Sequence, residues 1–413
     1  MKQALILTVF AAASLLTSCG NNYGSSNTTT TTPTTSNASG QVSGIQKRVF
    51  LTNQFLGQVD IIDASNDTMK TLLTFTTTGA ASNSLVNVMS IGLNPTFMVL
   101  TPDKKFTVVF DAGRNQVDAI NNSQEFENTA LQLAGPTESI VTASDSKSVY
   151  IAIPTASVSG QPSGTVQPMD MVTPIVGPAI PVPGARRLAL SHDGKTVLAF
   201  ANDTNNLYVV IPSTSAVTTL SGFDRPTNAV FSSDDSKAYI LNCGPECGGT
   251  TASIAVLNMA TNTVTNTIPV SAATVGFLNG TALYVAGTSA AGGRLDVVDT
   301  GTLAVTKSGV VIGDGFHQLM ALASNNKLFI GARSCTAGVG CLSIFDATAG
   351  SAVIPSTASN TGDVTSVQPI SGRNAVYVVQ SGELVIYDTT TNAPQATQFD
   401  IVGKAYGVLQ VDP

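Results

Sequence analysis

The feature that most constrains the fold is an internal repeat with a period of roughly 46 residues, a size that indicates a repeat architecture. Each unit begins with an apolar stretch that ends in an Asp- or Asn-rich turn, as in LALSHDGK and AVFSSDDSK. Two more apolar stretches follow, as in TVLAFAN and LYVVIP, and then a variable fourth, as in TVTNTIPV. Four short strands with tight turns are typical of one propeller blade. We therefore predict an all-β fold, a β-propeller of four-stranded blades.

The two ends of the chain complete one blade between them. The N-terminal segment RVFLTNQFLGQVDIIDASNDTMKTLLTF supplies a second, third and fourth strand, and the C-terminal YGVLQVDP supplies a first strand. Pairing them closes the ring and removes exposed strand edges. The alignment places Asp412 with Asp103, Asp145, Asp193 and Asp234, and Lys47 with Lys105, Lys147, Lys195 and Lys237.

The shared blade brings the predicted count to eight. Seven blades is the alternative, if the weak unit around TVQPMDMVTPIVGPAIPV or the long insert over residues 76–94 has misled the alignment.

Composition excludes one class of partner. The chain has a formal net charge of −7 with 19 scattered Lys and Arg residues, whereas a duplex-binding protein needs a basic stripe. We therefore expect no nucleic-acid partner. The wealth of Gly, Ser, Thr, Val and Asn is typical of strands and turns, so we expect almost no helix beyond the N-terminus.

The N-terminus contains a predicted targeting signal. Residues 1–18 combine a basic start with a short apolar run, as a secretory signal does, and Leu16-Thr17-Ser18-Cys19 resembles a bacterial lipobox. The resemblance implies a lipidated Cys19 and, because Gly20 follows, an outer-membrane lipoprotein. An ordinary signal peptide with an incidental cysteine is the alternative. Residues 19–46 are predicted to be a low-complexity Ser/Thr/Asn tether, and residues 47–413 a single propeller domain.

The repeat resembles a known family. FLTNQFLGQVDIIDASNDT at residues 50–68 and IAVLNMATNTVTNTIPV at residues 254–270 are similar to the YVTN-type β-propeller repeat, and LALSHDGKTVLAFAN to its Ser-Pro-Asp-Gly turn. His192 departs from the family pattern, which usually has Pro there. Related propellers include lactonases, a haem-bearing nitrite reductase domain and many surface proteins. The resemblance therefore implies the fold more strongly than an activity.

The four cysteines after Cys19 form two close pairs, CGPEC at Cys243 and Cys247 and CTAGVGC at Cys335 and Cys341. In an exported protein they are most simply disulfides, each pinning a loop between a second and a third strand. Redox activity, metal binding and free thiols are the alternatives. No Cys-x-x-Cys-His, His-Glu-x-x-His or Gly-x-Ser-x-Gly motif occurs. We predict no metal and no cofactor.

Polar residues recur where first strands begin. His317 opens one in GFHQLMALAS, and in the family's arrangement such strands line a central channel, with their starts near the face where ligands enter. The corresponding positions in other blades hold Glu138, Arg186, Arg187, Arg225, Asn228, Thr365 and Tyr406. We hypothesise that this group binds a polar or anionic ligand, since arginine forks suit carboxylate or phosphate. The alternative is that they are ordinary polar groups that satisfy one another and water. We expect His192 to be a solvated surface residue.

These observations favour a membrane-anchored, extracytoplasmic propeller that acts as a monomeric binding or scaffold module. Its expected partners are the membrane, through the lipid anchor, and an unknown protein or small polar ligand. The alternative is a lactonase-like or other hydrolase with its site at the channel mouth. A metal-dependent lactonase should gather several acidic or amide ligands there, and the alignment supplies Glu138 and Asn228.

Overall fold

The structure is a computed structural model that describes residues 42–69, 71–75, 81–85, 88–171, 173–201, 203–355, 360, 362–395, 401 and 403–412. The predicted signal peptide, Cys19 and most of the predicted tether lie outside these residues. In the part of the chain that is described, no helix is long and apolar enough to cross a membrane. The helical element found there is a 3-10 turn at Gly244–Cys247.

Short strands make up nearly all the regular structure. In chain order they are β1 (Arg48–Asn53), β2 (Gln58–Asp63), β3 (Thr71–Phe75), β4 (Ala81–Leu85), β5 (Val88–Ser90), β6 (Pro95–Leu100), β7 (Phe106–Asp111), β8 (Gln116–Asn121), β9 (Phe126–Gln132), β10 (Ser139–Thr142), β11 (Ser148–Ile153), β12 (Thr165–Asp170), β13 (Ile175–Val176), β14 (Ile180–Pro181), β15 (Arg187–Leu190), β16 (Val197–Phe200), β17 (Leu207–Ile211) and β18 (Ala216–Leu220). The second half contains β19 (Pro226–Phe231), β20 (Lys237–Asn242), β21 (Ser253–Asn258), β22 (Thr263–Pro269), β23 (Val275–Asn279), β24 (Ala282–Ser289), β25 (Gly292–Asp299), β26 (Ala304–Val311), β27 (Phe316–Leu322), β28 (Lys327–Arg333), β29 (Leu342–Asp346), β30 (Ser351–Val353), β31 (Val364–Pro369), β32 (Ala375–Gln380), β33 (Glu383–Asp388), β34 (Ala393–Pro394) and β35 (Ala405–Gln410).

The strands form eight antiparallel blades, which confirms the predicted propeller and its eight-blade count. Blade 1 has the strand order β35-β1-β2-β5, and blade 2 is β6 to β9. Blade 3 runs from β10 to β13, with β14 also paired to β12. Blades 4 to 8 are β15 to β18, β19 to β22, β23 to β26, β27 to β30 and β31 to β34. The innermost strands contact one another in ring order, with β35 between β31 and β6.

Blade 1 joins the two ends of the chain, as the sequence predicts. Strand β35 pairs antiparallel with β1, placing Leu51 opposite Val408. The prediction of which segment forms the fourth strand of blade 1 was wrong. The segment TLLTF, which is β3, pairs with β4 in a separate hairpin, and β5 completes the blade by placing Met89 opposite Val59. The hairpin of β3 and β4 thus precedes β5, which is the outer strand of blade 1.

The core is divided into eight apolar layers, one at each interface between neighbouring blades. Alternate residues of a strand point to opposite faces of its sheet. In β7, Val108 and Phe110 pack toward blade 3, whereas Val109 packs toward blade 1. The middle strands are therefore buried on both faces, which explains their nearly continuous apolar sequences.

The blades have two distinct faces because each is a four-stranded meander. Turns that join first to second and third to fourth strands lie on one side of the ring, here called the turn face. Loops that join second to third strands, and connections to the next blade, lie on the other side, here called the mouth face. First strands begin at the mouth face.

In blade 1, an ion pair occupies the position where a turn joins the first and second strands of the other blades. In blade 3, the Asp145 carboxylate accepts the backbone N–H of Ser148 at 2.9 Å. In blade 1, Asp412 accepts the N–H of Arg48 at 2.9 Å and also its guanidinium, with Nε to Oδ2 at 2.7 Å. The backbone bond from Val411 to Arg48 matches that from Ala143 to Ser148. Asp412 thus lies one residue nearer its strand than the sequence alignment implies.

Two more contacts fix blade 1 to its neighbours. Arg48 Nη1 lies 3.0 Å from Oε1 of Glu125, a blade 2 residue with 2% side-chain exposure. On the other side, both guanidinium Nη atoms of Arg373 in blade 8 donate to Asp67, which also accepts from the Tyr377 hydroxyl. Burial alone would raise the pKa of Asp67, but these hydrogen bonds outweigh it and lower that pKa.

We expect Arg48→Met to lower the free energy of unfolding by about 2 to 4 kcal/mol, because it removes an ionic partner from the buried Glu125 and opens the turn at Asp412. The matched control is Lys105→Met, since Lys105 also pairs with a turn aspartate but is 74% exposed. It should cost less than about 0.5 kcal/mol. Urea unfolding followed by circular dichroism measures both. Equal losses in the two variants would contradict a special role for the closing blade.

Candidate functional site

A cavity of about 520 Å³ opens into the central channel at the mouth face. Most of its wall comes from first strands of different blades, and the ends of two second strands add the rest. The lining residues are Thr96, Phe97, Met98, Phe110, Ala112, Thr137, Glu138, Ser139, Arg187, Leu188, Asn228, Gln318, Leu319, Arg333, Thr365, Ser366 and Tyr406.

Five of the residues singled out in the sequence line this cavity, namely Glu138, Arg187, Asn228, Thr365 and Tyr406. They reach it because first strands begin at the mouth face and surround the channel. The ring thus brings together side chains that are far apart in the sequence. Their binding role stays a prediction.

Two of the predicted arginines lie outside the cavity wall. Arg186 is half-exposed and lies 3.5 Å from Oε1 of Glu138, so the first of the adjacent arginines neutralises the carboxylate. Arg225 precedes its strand in a loop with a φ of 56°, and its backbone N–H donates to the Asn205 side chain.

His317 is buried instead of lining the channel. Its side chain is 1% exposed, and a register shift between His317 and Leu319 interrupts the alternation of β27. Among the described residues its Nδ1 has no hydrogen-bond partner. Burial lowers the pKa of His317 to about 4, despite a hydrogen bond with Gly313, so the ring is neutral at pH 7.

Among the described residues Arg187 has no carboxylate in direct contact, although Glu138 in the same cavity attracts its charge at longer range. Within the described part of the chain, its guanidinium forms no ion pair or hydrogen bond; it lies over the Phe316 ring, 5.5 Å from the centroid. This cation–π contact stabilises the guanidinium without neutralising it. Burial lowers the pKa of Arg187, but an arginine remains protonated at neutral pH.

Arg333 is a cavity residue that the sequence alignment missed, because it ends a second strand. Its Nη2 donates to the Tyr406 hydroxyl at 2.9 Å, and its guanidinium lies 5.3 Å from the Tyr406 ring centroid. Its Nε is buried and has no partner among the described residues. A signal was present: of the eight second strands, β28 is the one that ends in a basic residue.

The cavity is therefore cationic and rich in hydrogen-bond donors. Arg187 and Arg333 outweigh the one carboxylate, Glu138, which already contacts Arg186. The Asn228 and Gln318 amides and several hydroxyls add uncharged donors. Such a set suits a carboxylate or phosphate group. Among the described residues, no group of three or more His, Cys, Asp or Glu is placed to hold a metal ion.

Both predicted disulfides are confirmed, Cys243 with Cys247 and Cys335 with Cys341. Each closes a second-to-third-strand loop on the mouth face, in blades 5 and 7 respectively, and none of the four cysteines lines the cavity. The disulfides therefore stabilise loops on the mouth face and do not line the cavity.

Blade 6 connects the two braced loops. Glu246, in the first loop, accepts the backbone N–H of Thr288 at 2.8 Å, and burial raises the pKa of Glu246 to about 7. The Thr288 hydroxyl donates to the Gly315 carbonyl at 2.6 Å. Gly315 has a φ of 94°, and a side chain there would lie 2.7 Å from Sγ of Cys335, so the second loop packs directly on it.

His192 lies on the turn face, and its side chain is 61% exposed. Its Nδ1 lies 2.6 Å from Oδ1 of Asp235.

Asp118 is a second buried group without a predicted role. It lies inside blade 2, fully buried, with Oδ1 accepting from Gln116 and Oδ2 without a partner among the described residues. Burial raises the pKa of Asp118 to about 8; Glu127 and Asp111 add to this, while Gln116 and Arg114 oppose it. A perturbed pKa often marks a functional group. Asp118 lies outside the channel cavity, so we assign it a structural role and not a role in binding.

Comparisons with known proteins give the fold and no closer relationship. No protein-family model matches the chain, and no curated protein matches it. Among solved structures, it is similar to the dihydro-heme d1 dehydrogenase NirN in complex with DHE, with a TM-score of 0.64 and 13% identity. That match covers 89% of this chain and 75% of the other.

Two further structures are similar. A functionally unknown protein from Desulfotomaculum acetoxidans has a TM-score of 0.51 and 16% identity, with 74% of this chain and 94% of the other covered. Hydrazine synthase of Kuenenia stuttgartiensis has a TM-score of 0.46 and 15% identity, covering 85% and 92% respectively. At these identities the likeness of the first two shows the propeller fold alone.

We expect Asp118→Asn to flatten the pH dependence of stability. A carboxyl whose pKa is raised from 3.8 to about 8 holds its proton in the folded state, so the free energy of unfolding falls as pH rises between those values. Asparagine mimics the protonated side chain. At pH 8 the variant should therefore be more stable than the parent by on the order of 1 to 3 kcal/mol, and nearly equal at pH 4.

Urea unfolding at both pH values measures the effect. Asp103→Asn is the control, because this turn aspartate is exposed and its pKa is lowered by hydrogen bonds that outweigh burial. That control should not gain stability at pH 8. A loss of stability at pH 8 in the Asp118 variant would show that the carboxylate is stabilised in the folded protein.

Proposed function

We propose that this protein is a non-catalytic binding module of the bacterial envelope that captures an anionic ligand at the mouth of its propeller channel. The observation that carries the proposal is the pair Arg187 and Arg333. Both line one cavity, and within the described residues neither forms an ion pair.

Physical chemistry favours a ligand as the missing partner. Taking a guanidinium partly out of water is costly unless its charge is compensated. Two such groups in one cavity also repel each other. Burial is the main cause that lowers the pKa of Arg187, Glu138 opposes it, and Arg333 adds a smaller lowering. An anion between them would supply the compensation, and the planar guanidinium matches carboxylate or phosphate with two parallel hydrogen bonds.

Hydrolysis has less support than binding. A lactonase-like site that holds a metal would need several oxygen ligands, and Glu138 is the single carboxylate of the cavity. That carboxylate is 52% exposed and already contacts Arg186. The YVTN-type resemblance therefore supports our choice of fold, while the cationic cavity favours capture of an anion.

We further propose that a lipid on Cys19 tethers the protein to the outer membrane. The two disulfides support an oxidising compartment. At the start of the described chain, the Ser43 hydroxyl donates to Glu125 at 2.6 Å on the turn face.

We expect the double variant Arg187→Gln with Arg333→Gln to weaken binding of inorganic phosphate by about 2 to 5 kcal/mol, because both compensating charges are lost while the amides keep hydrogen bonding. Isothermal titration calorimetry on the parent and the variant measures this. The matched control is Arg225→Gln, which removes an arginine from the same face outside the cavity and should cost less than about 1 kcal/mol. Similar affinities in all three proteins would place any anion site elsewhere.

We expect Cys19→Ser to abolish lipid modification and to shift the protein from membrane to soluble fractions of the native host. Labelling with a clickable palmitate and fractionation measure the two effects. Cys243→Ser with Cys247→Ser is the control, because it removes two cysteines without touching the lipobox. A Cys19 variant that still fractionates with membranes would contradict the proposed anchor.

A further inference from the structure

Three large apolar side chains are exposed on the mouth face, at the boundary between blades 1 and 2. Phe55 and Leu56 lie in the loop between β1 and β2, and Leu93 lies in the connection from β5 to β6. Their exposed fractions are 74%, 51% and 59% respectively. Within the described part of the chain, no large apolar residue is more exposed than Phe55. We call Phe55, Leu56 and Leu93 the apolar rim.

The two segments of the apolar rim are in contact and lead to the channel cavity. The Gly57 carbonyl accepts the backbone N–H of Ile91 at 3.0 Å, and a Cβ added to Gly57 would lie 3.6 Å from Cα of Leu93. Leu93 also packs on Gly113, where an added Cβ would lie 2.7 Å from the Cβ of Leu93. Gly113 follows Ala112, which lines the cavity. The apolar rim therefore extends inward to the cavity wall.

Hydrogen bonds fix the backbone of the apolar rim, although its side chains bury little surface. The N–H of Leu93 donates to Oδ2 of Asp111 at 3.0 Å, and the N–H of Leu56 donates to Oδ1 of Asn53 at 3.3 Å. The fold gains no stability from apolar side chains that stay in water. A loop that is already ordered, in contrast, lowers the entropy cost of binding. Clustered exposed apolar residues of this kind are typical of interaction sites.

We propose that the mouth face binds an extended peptide segment of a partner protein, with an acidic group of the peptide beside Arg187 and Arg333 and its apolar side chains on the apolar rim. The inference rests on the function proposed above and adds the class of ligand. Charge complementarity favours the acidic group, because neither arginine forms an ion pair within the described residues. Leu93 is three residues from Thr96 on the cavity wall. Three residues of extended chain span roughly 10 Å, which a short peptide covers.

An anionic lipid bilayer fits this face less well than a peptide does. The side chains of Glu138, Asp363 and Glu383 are exposed on the mouth face, so a broad anionic surface would meet like charges there. Attraction to such membranes comes from clusters of basic residues at an open surface. Arg187 and Arg333 instead line a cavity, which a narrow acidic chain can enter.

Calorimetry on the full chain with defined peptides tests the ligand class. Each probe has blocked termini and two leucines joined to one glutamate by a spacer of one to five glycine or serine residues, in both chain directions. Each has two matched controls, one with glutamine in place of glutamate and one with serines in place of the leucines. We expect the best probe to bind at least tenfold more tightly than either control, because the controls lose the charge or the apolar burial.

Variants separate the two parts of the site. Phe55→Ser with Leu93→Ser should weaken the best probe at least tenfold and leave inorganic phosphate unchanged, because phosphate has no apolar part. Arg187→Gln with Arg333→Gln should weaken both ligands. Ile175→Ser is the matched control, since Ile175 is 61% exposed on the outer strand of blade 3 and does not line the cavity. It should change neither affinity. Thermal unfolding confirms that each variant is folded.

The outcomes distinguish this proposal from the proposed function. If phosphate binds through the arginines and no probe exceeds its controls, the anion site is supported and the peptide is excluded. If neither phosphate nor any probe binds, the proposed function itself is wrong. If glutamine peptides bind as tightly as glutamate peptides, the arginines take no part and the acidic peptide is excluded.

Two other occupants of the apolar rim give different results. Binding to phosphatidylglycerol vesicles that is lost in Phe55→Ser with Leu93→Ser, together with no peptide binding, would replace the peptide with a membrane surface. Dimerisation that the same variant abolishes, measured by analytical ultracentrifugation, would replace it with a second copy of this chain. Either result would overturn the proposal.

Discussion

The whole structure depends on burying the middle strands of each blade on both faces. Val108 and Phe110 of β7 pack in one direction and Val109 in the other, so neither face of the sheet is satisfied without a neighbour. A row of such blades would always leave two apolar faces in water, and closing the ring removes both. This explains why the closing blade carries contacts that the others do not need. The first and second strands of blade 1 are far apart in the sequence, and the ion pair between Arg48 and Asp412 connects them. Arg48 also forms an ion pair with Glu125 in blade 2.

Closure also creates the site. Eight first strands that begin on one face bring a few polar residues per blade to the channel mouth, although these residues are widely separated in the sequence. Residues of seven blades line the cavity at the mouth, so a charge there is less screened than on an open surface. The site thus gains its electrostatic strength from the same geometry that stabilises the fold. The disulfide loops, linked through Glu246 and Thr288, support the surrounding face.

Sequence reasoning predicts the fold well because a repeat averages out local ambiguity. Seven internal copies of the turn define the strand order, and they leave one copy to be shared by the two ends. It fails where a unit departs from the pattern. The β3 and β4 hairpin contains apolar residues at strand spacing, so the sequence suggests the outer strand there, whereas the actual outer strand is the three-residue β5. The turn alignment is also one residue off at Asp412, whose carboxylate accepts the backbone N–H of Arg48.

The candidate site was less predictable, for a physical reason that its arginines illustrate. Alignment finds residues at the starts of first strands, but it is one residue off in blade 7. His317 pairs as the buried Val364 does in blade 8, whereas the next residue, Gln318, lines the cavity. A second strand supplies Arg333. What identifies the site is compensation of charge, which is a property of three-dimensional contacts. Arg48 and Arg373 each meet a carboxylate, as stable partly buried arginines usually do. Arg187 and Arg333 have aromatic rings beside them and, among the described residues, no carboxylate in ion-pair contact. In the described part of the chain, these two arginines therefore lack direct ionic partners at a cavity that holds one carboxylate, Glu138.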